Sequence, residues 1–327
     1  EVAMDQASHA IFQMTILLII TAVGFLAAKL GYLDAHTKTK ITDLLLNITL
    51  PCMIIASVGN VDVALLGPQL PLMLAFGAGE FFLWLAIAYL FIAIFRVPKS
   101  QRSVYCFMSV LTNTSFVGIP VASALYGESA ALLCSVFIMA TSTLIYSIGV
   151  GILVSDKEEQ PKYNNQANAS KSNRVTQVLR AVLSPLIIAA VLALILVFLQ
   201  VQLPSFLQES LSTIGGLTAP LAMMLVGVII SQESLREVVS EWRLYPFILL
   251  RQLIAPALSY LVLRMFISDP VLLGIFVVMF ALPVGSMCSM FCASYGKDAV
   301  LPAKGTILST ISSFVIIPLL LMFIAVV

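Results

Sequence analysis

Residues 112–120 read Thr-Asn-Thr-Ser-Phe-Val-Gly-Ile-Pro and lie in the middle of an apolar stretch long enough to cross a membrane. Proline at position 120 has no backbone N–H, and its ring clashes with the preceding helical turn. Amide and hydroxyl side chains at 112–115 come shortly before this proline. The stretch therefore predicts a membrane helix that is broken near its centre, with backbone groups that need partners.

A second stretch of the same kind occurs near the end of the chain. Residues 282–287 read Leu-Pro-Val-Gly-Ser-Met, again within an apolar run. Two broken helices that cross would direct the positive N-termini of their second halves at one point, which suits an anion without any fixed cation. The alternative is a pair of proline kinks filled by neighbouring side chains.

Further apolar runs surround these two stretches. The 327 residues are 60% hydrophobic and 10% charged, with a mean hydropathy of +1.06, which excludes an ordinary soluble enzyme. The fold class is an all-α polytopic membrane protein. Ten spans are predicted, near 11–30, 41–58, 71–95, 103–125, 130–154, 181–201, 212–230, 245–267, 270–294 and 300–325.

The basic residues predict the orientation of these spans. With the N-terminus outside, 15 of the 17 Lys and Arg residues fall in inside loops, which places both termini extracytoplasmic in the cell inner (plasma) membrane. Net charge is only +1 and the basic residues are dispersed, so no nucleic-acid partner is indicated. The 15 basic residues predicted to lie in cytoplasmic loops are Lys29, Lys38, Lys40, Arg96, Lys99, Arg102, Lys157, Lys162, Lys171, Arg174, Arg180, Arg236, Arg243, Lys297 and Lys304.

An internal repeat appears at an offset of 169 residues. It predicts two five-helix repeats, at 1–154 and 181–327, separated by a flexible cytoplasmic linker at 155–180. Because five is odd, the second repeat is inverted relative to the first, as in many secondary transporters. The matching pairs are Thr49-Leu50-Pro51 with Thr218-Ala219-Pro220, Tyr126-Gly127 with Tyr295-Gly296, Thr141 with Thr310, and Thr143 with Ser312.

Two charges lie well inside predicted spans, Glu80 in the third and Arg251 in the eighth. Ionisable groups at this depth are costly and usually face a cavity or a bundle interior. A buried Glu80 near Arg251 is a candidate for carrying a coupling proton, and the alternative is a structural ion pair between the two spans. Hydroxyls cluster in the fifth and tenth spans, where bonds to their own helices are the ordinary role.

Three motifs resemble the auxin efflux carrier family, which includes plant auxin carriers and bacterial carriers of organic acids. They are 113–120, Asn-Thr-Ser-Phe-Val-Gly-Ile-Pro; 45–51, Leu-Leu-Asn-Ile-Thr-Leu-Pro; and 281–283, Ala-Leu-Pro, followed by Tyr295-Gly296. The resemblance covers essentially the whole chain. The large hydrophilic loop of many plant members is missing, as in short bacterial members.

The resemblance implies a scaffold domain from helices 1, 2, 6 and 7 and a transport domain from helices 3–5 and 8–10. It implies that broken helices 4 and 9 cross, as in sodium/proton antiporters and bile-acid symporters, and that the transport domain moves like an elevator. It also implies a carboxylate substrate beside the crossing, with Asn113, Pro120 and Pro283 among the site residues.

The prediction is a secondary transporter for a small organic anion such as a mono- or dicarboxylate, with protons as candidate coupling ions and the lipid bilayer as its surroundings. Alternatives are a sodium-coupled organic-anion symporter and a cation/proton antiporter; the ninth span has no acid between 282 and 295, which disfavours sodium. An enzyme, a cofactor and a metal are not expected, and a sensor or assembly role and a homodimer stay open. Predicted substrate-binding residues are Asn113, Thr114, Ser115, Pro120, Pro283, Gly285, Ser286 and Asn47, and the coupling residues are Glu80 and Arg251.

Overall fold

The computed structural model describes residues 2–60, 63–155, 183–232 and 235–326. Nearly all of these residues are helical, and the described chain contains no β-strand. An isolated antiparallel bridge joins Thr112 to Val284. The predicted linker at 155–180 lies outside the described residues, except for Ser155.

The described residues up to 155 form eight α-helices. They are α1 (Val2–Lys29), α2 (Ala35–Leu44), α3 (Leu50–Ala56), α4 (Val63–Ile94), α5 (Lys99–Val110), α6 (Ile119–Tyr126), α7 (Ser129–Leu144) and α8 (Val150–Ser155). In the second half the described helices are α9 (Pro185–Phe198), α10 (Ser205–Gly216), α11 (Thr218–Ser231), α12 (Leu235–Val238), α13 (Leu244–Ile248), α14 (Ala255–Leu263), α15 (Pro270–Phe280), α16 (Cys288–Ser294) and α17 (Val300–Val326).

Several of these helices join end to end into membrane-spanning lengths, which confirms the prediction of an all-α polytopic membrane protein. Within the described ranges, seven segments are long and apolar enough to cross a bilayer: Ile11–Lys29, His36–Gly59, Gln69–Ile94, Ser129–Leu153, Ser205–Ser231, Leu244–Leu263 and Val300–Ile324. Three shorter apolar segments accompany them, Thr114–Tyr126, Pro185–Phe198 and Pro270–Phe280.

One predicted span boundary is wrong at its N-terminal end. The seventh span begins at Ser205 instead of 212, whereas the third, Gln69–Ile94, begins within two residues of the predicted 71. Pro204 immediately precedes α10, the helix that begins this span. Proline has no backbone N–H, so it cannot continue a helix from the residues before it. The first turns of this helix carry polar residues, so a search for continuous apolar sequence misses them.

Wide π-helical turns precede three of the membrane prolines. They occupy Leu45–Thr49, Thr114–Gly118 and Leu249–Ile254, and each is followed two residues later by a proline, at 51, 120 and 256. A proline ring crowds the carbonyl four residues before it, and a π turn shifts that carbonyl's register by one residue. The prolines thus stay within helical segments but leave local distortions in them.

Two pairs of residues separated by 169 positions share a left-handed backbone turn. Gly31 and Gln200 both have positive φ, 83° and 53°, at the ends of α1 and α9. Gly127 and Gly296 have φ of 87° and 68° at the ends of α6 and α16. At each of the four positions the backbone turns in the left-handed region, which favours glycine and is rare for Gln.

Close helix contacts fix the bundle. α1 packs along α11 through Gly24 and Gly227, where a Cβ atom on either glycine would collide with the partner backbone. α3 packs against α9 and α10, while α4 packs against α5 and α7. Small residues at such crossings let membrane helices approach closely.

Candidate functional site

The two predicted breaks lie side by side in the structure. The amide of Asn113 donates to the carbonyl of Pro283 at 2.9 Å, and the amide of Gly285 donates to the carbonyl of Leu111 at 2.7 Å. These two bonds flank the Thr112–Val284 bridge. A Cβ at Gly285 would lie 2.9 Å from Cγ of Leu111, so the close approach of the two backbone segments requires glycine there.

Side chains from other helices satisfy the break at 281–285. Ser309 Oγ in α17 accepts from the amide of Val284 at 3.0 Å, and Thr306 Oγ1 donates to the carbonyl of Gly285 at 3.3 Å. Gln252 Nε2 donates to the carbonyl of Ala281 at 3.1 Å. Since buried backbone groups without partners are costly in a membrane, these contacts stabilise the non-helical segment.

Arg251 also joins the two breaks. Its Nε donates to the carbonyl of Ser109 at 3.1 Å and its Nη1 to the carbonyl of Leu282 at 2.6 Å. Ser109 lies in the last turn of α5 and Leu282 follows the end of α15. A fully buried guanidinium therefore faces the negative C-terminal ends of two half-helices.

Glu80 is also fully buried, and Trp84 contacts both it and Arg251. Trp84 Nε1 donates to Oε1 of Glu80 at 2.9 Å, and the guanidinium carbon of Arg251 lies 5.2 Å from the centre of the indole ring. Glu80 and Arg251 attract each other electrostatically. Within the described residues, Glu80 Oε2 and Arg251 Nη2 have no hydrogen-bond partner, so the two groups do not form a hydrogen-bonded ion pair.

The break at 111–116 also leaves backbone amides without partners. The carbonyl of Asn113 accepts from the amides of Val117 and Gly118 at 3.2 and 3.1 Å. Preceding amides at 114–116 have no acceptor among the described residues, because they begin the helical segment and no side chain caps it. Thr112 Oγ1 is buried and has no hydrogen-bond partner among the described residues. The amides of Ser286 and Met287, before α16, likewise have no acceptor among the described residues, so both breaks leave unused backbone donors at the crossing.

Polar side chains adjoin these amides. Asn113 Nδ2 donates to Ser286 Oγ at 3.0 Å and so links the two breaks through side chains as well. Thr114, Ser115 and Ser286 are partly exposed, whereas Asn113 is 4% exposed. The structure thus brings together six of the predicted substrate-binding residues: Asn113, Thr114, Ser115, Pro283, Gly285 and Ser286.

Two predicted residues have other surroundings. Pro120 is buried within α6, after the π turn that begins at Thr114. Asn47 is exposed, and its Nδ2 donates to the carbonyl of Asp43 at 2.8 Å within its own helical segment. This bond holds the Asn47 side chain against its own helical segment and does not link it to the crossing.

Sequence reasoning missed two residues that hold the crossing. Gln252 was not singled out, although an amide next to Arg251 in an apolar span is a signal of buried polar contacts. Thr306 was also missed, one turn before the hydroxyl cluster of α17. In the fifth predicted span, by contrast, Thr141 and Ser142 bond to carbonyls four residues earlier, as hydroxyls in membrane helices ordinarily do.

A cavity of about 380 Å³ lies elsewhere, at the ends of α3 and α9 and the start of α10. Its wall includes Gly59, Gln200 and Gln208, and none of the predicted site residues. Among the described residues, no group of three or more His, Cys, Asp or Glu side chains is placed to hold a metal ion.

Comparison with known proteins identifies the family. The sequence pattern of the membrane transport protein family matches residues 9–321. The chain belongs to this membrane transport protein family. A relative from Methanocaldococcus jannaschii, described as an uncharacterized transporter, is 24% identical over 314 residues, which cover 93% of this chain and 95% of that protein.

Membership in the membrane transport protein family makes this chain a multi-pass membrane protein of a transporter family. The match includes both breaks and the residues that join them. The crossing is therefore the natural candidate for the transport site, since discontinuous helices in transporters place binding groups near the membrane midplane.

Proposed function

We propose that this protein is a secondary transporter for a small organic anion, a mono- or dicarboxylate, bound at the break that begins at residue 111. The observation that carries the proposal is that the helical segment after each break begins without a side-chain cap. The amides at 114–116 and at 286–287 have no acceptor in the described chain, whereas the carbonyls of the second break accept from Arg251, Gln252 and Thr306.

A carboxylate suits these free amides. Backbone N–H groups at the start of a helical segment carry partial positive charge and bind anions without a fixed cation. The hydroxyls of Thr114, Ser115 and Ser286 are placed to donate further hydrogen bonds, and the amide of Asn113 connects the two sides. A phosphate also fits this chemistry, and the experiment below distinguishes the two anions.

The architecture we propose has ten spans in two inverted five-helix repeats. It is supported by the matching backbone turns at Gly31 and Gln200 and at Gly127 and Gly296, each pair 169 residues apart. It is also supported by three short apolar segments beside the seven long ones. Because ten is an even number of spans, both termini lie on the same side, which the basic residues indicate is outside the inner membrane.

The proposed movement is that of an elevator, with a scaffold of spans 1, 2, 6 and 7 and a mobile unit of spans 3–5 and 8–10. Packing of α1 on α11 and of α3 on α9 and α10 supports a separate scaffold. The mobile unit would carry both breaks together, because the bond from Asn113 to Pro283 and the bonds from Arg251 to Ser109 and Leu282 all lie within it. Transport would then preserve the crossing and change its access to water.

Glu80 is the proposed carrier of a coupling proton. The groups that face it are Trp84, Thr141 and Arg251, and none of these side chains gains or loses a proton readily near neutral pH. Oε2 of Glu80 has no partner among the described residues, so it is the oxygen that is available to bind a proton. Protonation would reduce the cost of moving this buried carboxyl through the membrane.

Thermal unfolding of the purified protein tests the proposal. Unfolding midpoints would be measured with mono- and dicarboxylates, the matching neutral amides, inorganic phosphate and sodium chloride. A ligand that binds only the folded state raises the midpoint with concentration. We expect one carboxylate class to raise it and the matching amides to have no effect. Stabilisation by phosphate or sodium alone, or by amides as strongly as by acids, would overturn the proposal.

A further inference from the structure

The hydrogen-bond acceptors of Arg251 are carbonyl oxygens, like the ligands of a bound cation. Its guanidinium contacts the carbonyls of Ser109 and Leu282, and the carboxyl of Glu80 attracts it electrostatically. Backbone carbonyls and carboxylates are the ligands that hard cations such as Na⁺ and Ca²⁺ use in proteins. Helix C-termini favour positive charge in the same way.

The charge of Arg251 has a role beyond its hydrogen bonds. An arginine keeps its proton under all ordinary conditions, so this positive charge is permanent. Without it, two helix C-termini and Glu80 would share a fully buried, low-dielectric site with no compensating charge. Trp84 adds a further favourable contact, since its ring face lies against the guanidinium.

We propose that Arg251 is a built-in cation that occupies the place of a bound metal cation at the helix crossing. The protein therefore assembles its crossing without sodium, and the positive charge stays with the breaks during transport. Gln252, the neighbouring residue, completes this arrangement by bonding to the carbonyls of Ala281 and Ser309, both at 3.1 Å. Removal of the guanidinium would leave an oxygen-lined site that accepts a monovalent cation.

The inference goes beyond the proposed function, and its test needs no substrate. Unfolding midpoints of the purified wild type and of Arg251→Gln would be compared in sodium chloride and in choline chloride at equal ionic strength. We expect equal midpoints for the wild type in the two salts. We expect Arg251→Gln to unfold earlier in choline and to gain about 3–6 °C in saturating sodium.

Three further variants separate a cation site from general weakening. The double variant Glu80→Gln, Arg251→Gln should lose the sodium response because the carboxylate that attracts the ion is gone. Arg251→Lys keeps the charge and should be insensitive to sodium, like the wild type. Arg236→Gln, at an exposed position, is the matched control and should behave as the wild type in both salts.

Two results would overturn the inference. One is a wild-type midpoint that rises with sodium relative to choline, which shows that the native protein binds the ion itself. The other is a folded Arg251→Gln variant with no response to sodium. If Arg251→Gln does not fold, the wild type and Arg251→Lys still decide the question, since a sodium response in either contradicts a built-in cation. Failure of these tests would leave the carboxylate-binding results unaffected.

Discussion

At the scale of single residues, Asn113 combines two roles. Its backbone holds the two breaks together through Pro283, and its side chain bonds to Ser286 at 3.0 Å beside the free amides. Substitution of the side chain removes only the second contact. Substitution of Asn113 therefore weakens the proposed site but leaves the backbone bond between the two breaks in place.

The first prediction compares Asn113→Ala with Ser286→Ala. Both remove the same side-chain hydrogen bond, worth about 1 kcal/mol of stability, and so should lower the unfolding midpoint equally. Each also removes a donor from the proposed substrate site, an amide in Asn113→Ala and a hydroxyl in Ser286→Ala, so we expect each to raise the carboxylate Kd by about tenfold. An unchanged Kd in folded Asn113→Ala would reduce Asn113 to a structural link.

The second prediction concerns Glu80. Glutamine has the shape of a protonated carboxyl and cannot titrate, so Glu80→Gln should carry out uptake that no longer varies with pH. The wild type should take up substrate faster as pH falls, because the protonated form is the mobile one. Uptake into proteoliposomes across a pH series measures both. A steep pH profile that persists in Glu80→Gln would place the proton carrier elsewhere.

Much of the residue-scale chemistry was visible in the sequence. Asn113, Ser286, Glu80 and Arg251 stand out as polar groups in apolar runs. Their partners were not predictable, because Arg251 bonds to backbone carbonyls 142 and 31 residues away in the chain, and every residue has a carbonyl. Sequence shows which side chain is costly to bury, but only the fold shows which backbone group satisfies it.

At the scale of elements, the crossing depends on how closely the two breaks approach. Gly285 lies against Leu111 with no room for a Cβ, while Gly79 in α4 has nothing within 4 Å of a Cβ position. The breaks themselves were predicted from Pro120 and Pro283, because proline disrupts helices in a known way. The contact between them depends on tertiary packing, which a pattern of single residues does not encode.

The third prediction follows from this contact. Gly285→Ala should destabilise the protein by about 1–3 kcal/mol, because the new methyl group forces the two breaks apart. Gly79→Ala, the matched control, should be neutral or slightly stabilising, since alanine is favoured over glycine in a helix. Thermal unfolding of both purified variants measures the difference. Equal midpoints would show that the breaks tolerate separation.

At the scale of the whole molecule, the proposed movement must break contacts between the scaffold and the mobile unit. Ser212 in α10 donates to Oε1 of Glu128, which precedes α7, at 3.0 Å. The sequence predicts ten spans from its apolar runs, their orientation from the basic residues, and an inverted repeat from a 169-residue offset. Packing between the two units was beyond sequence reasoning, because lipid-facing and protein-facing apolar residues have the same composition.

The fourth prediction uses that contact. In a Cys52→Ser background, which removes the most accessible native thiol, Glu128→Cys with Ser212→Cys should be joined by a short bifunctional thiol reagent. Cross-linking should stop uptake, while each single cysteine variant should keep its uptake after the same treatment. Full uptake by the cross-linked protein would contradict a movement between these two units.

Anion recognition by unpaired amides at the first break is the central claim, and equilibrium binding tests it most directly. The Kd of the best carboxylate and of its neutral amide would be measured on the purified wild type and on Asn113→Ala. We predict that the wild type binds the carboxylate at least about tenfold more tightly than the amide and that Asn113→Ala loses most of this affinity. Equal binding of acid and amide, or unchanged carboxylate affinity in folded Asn113→Ala, would contradict it.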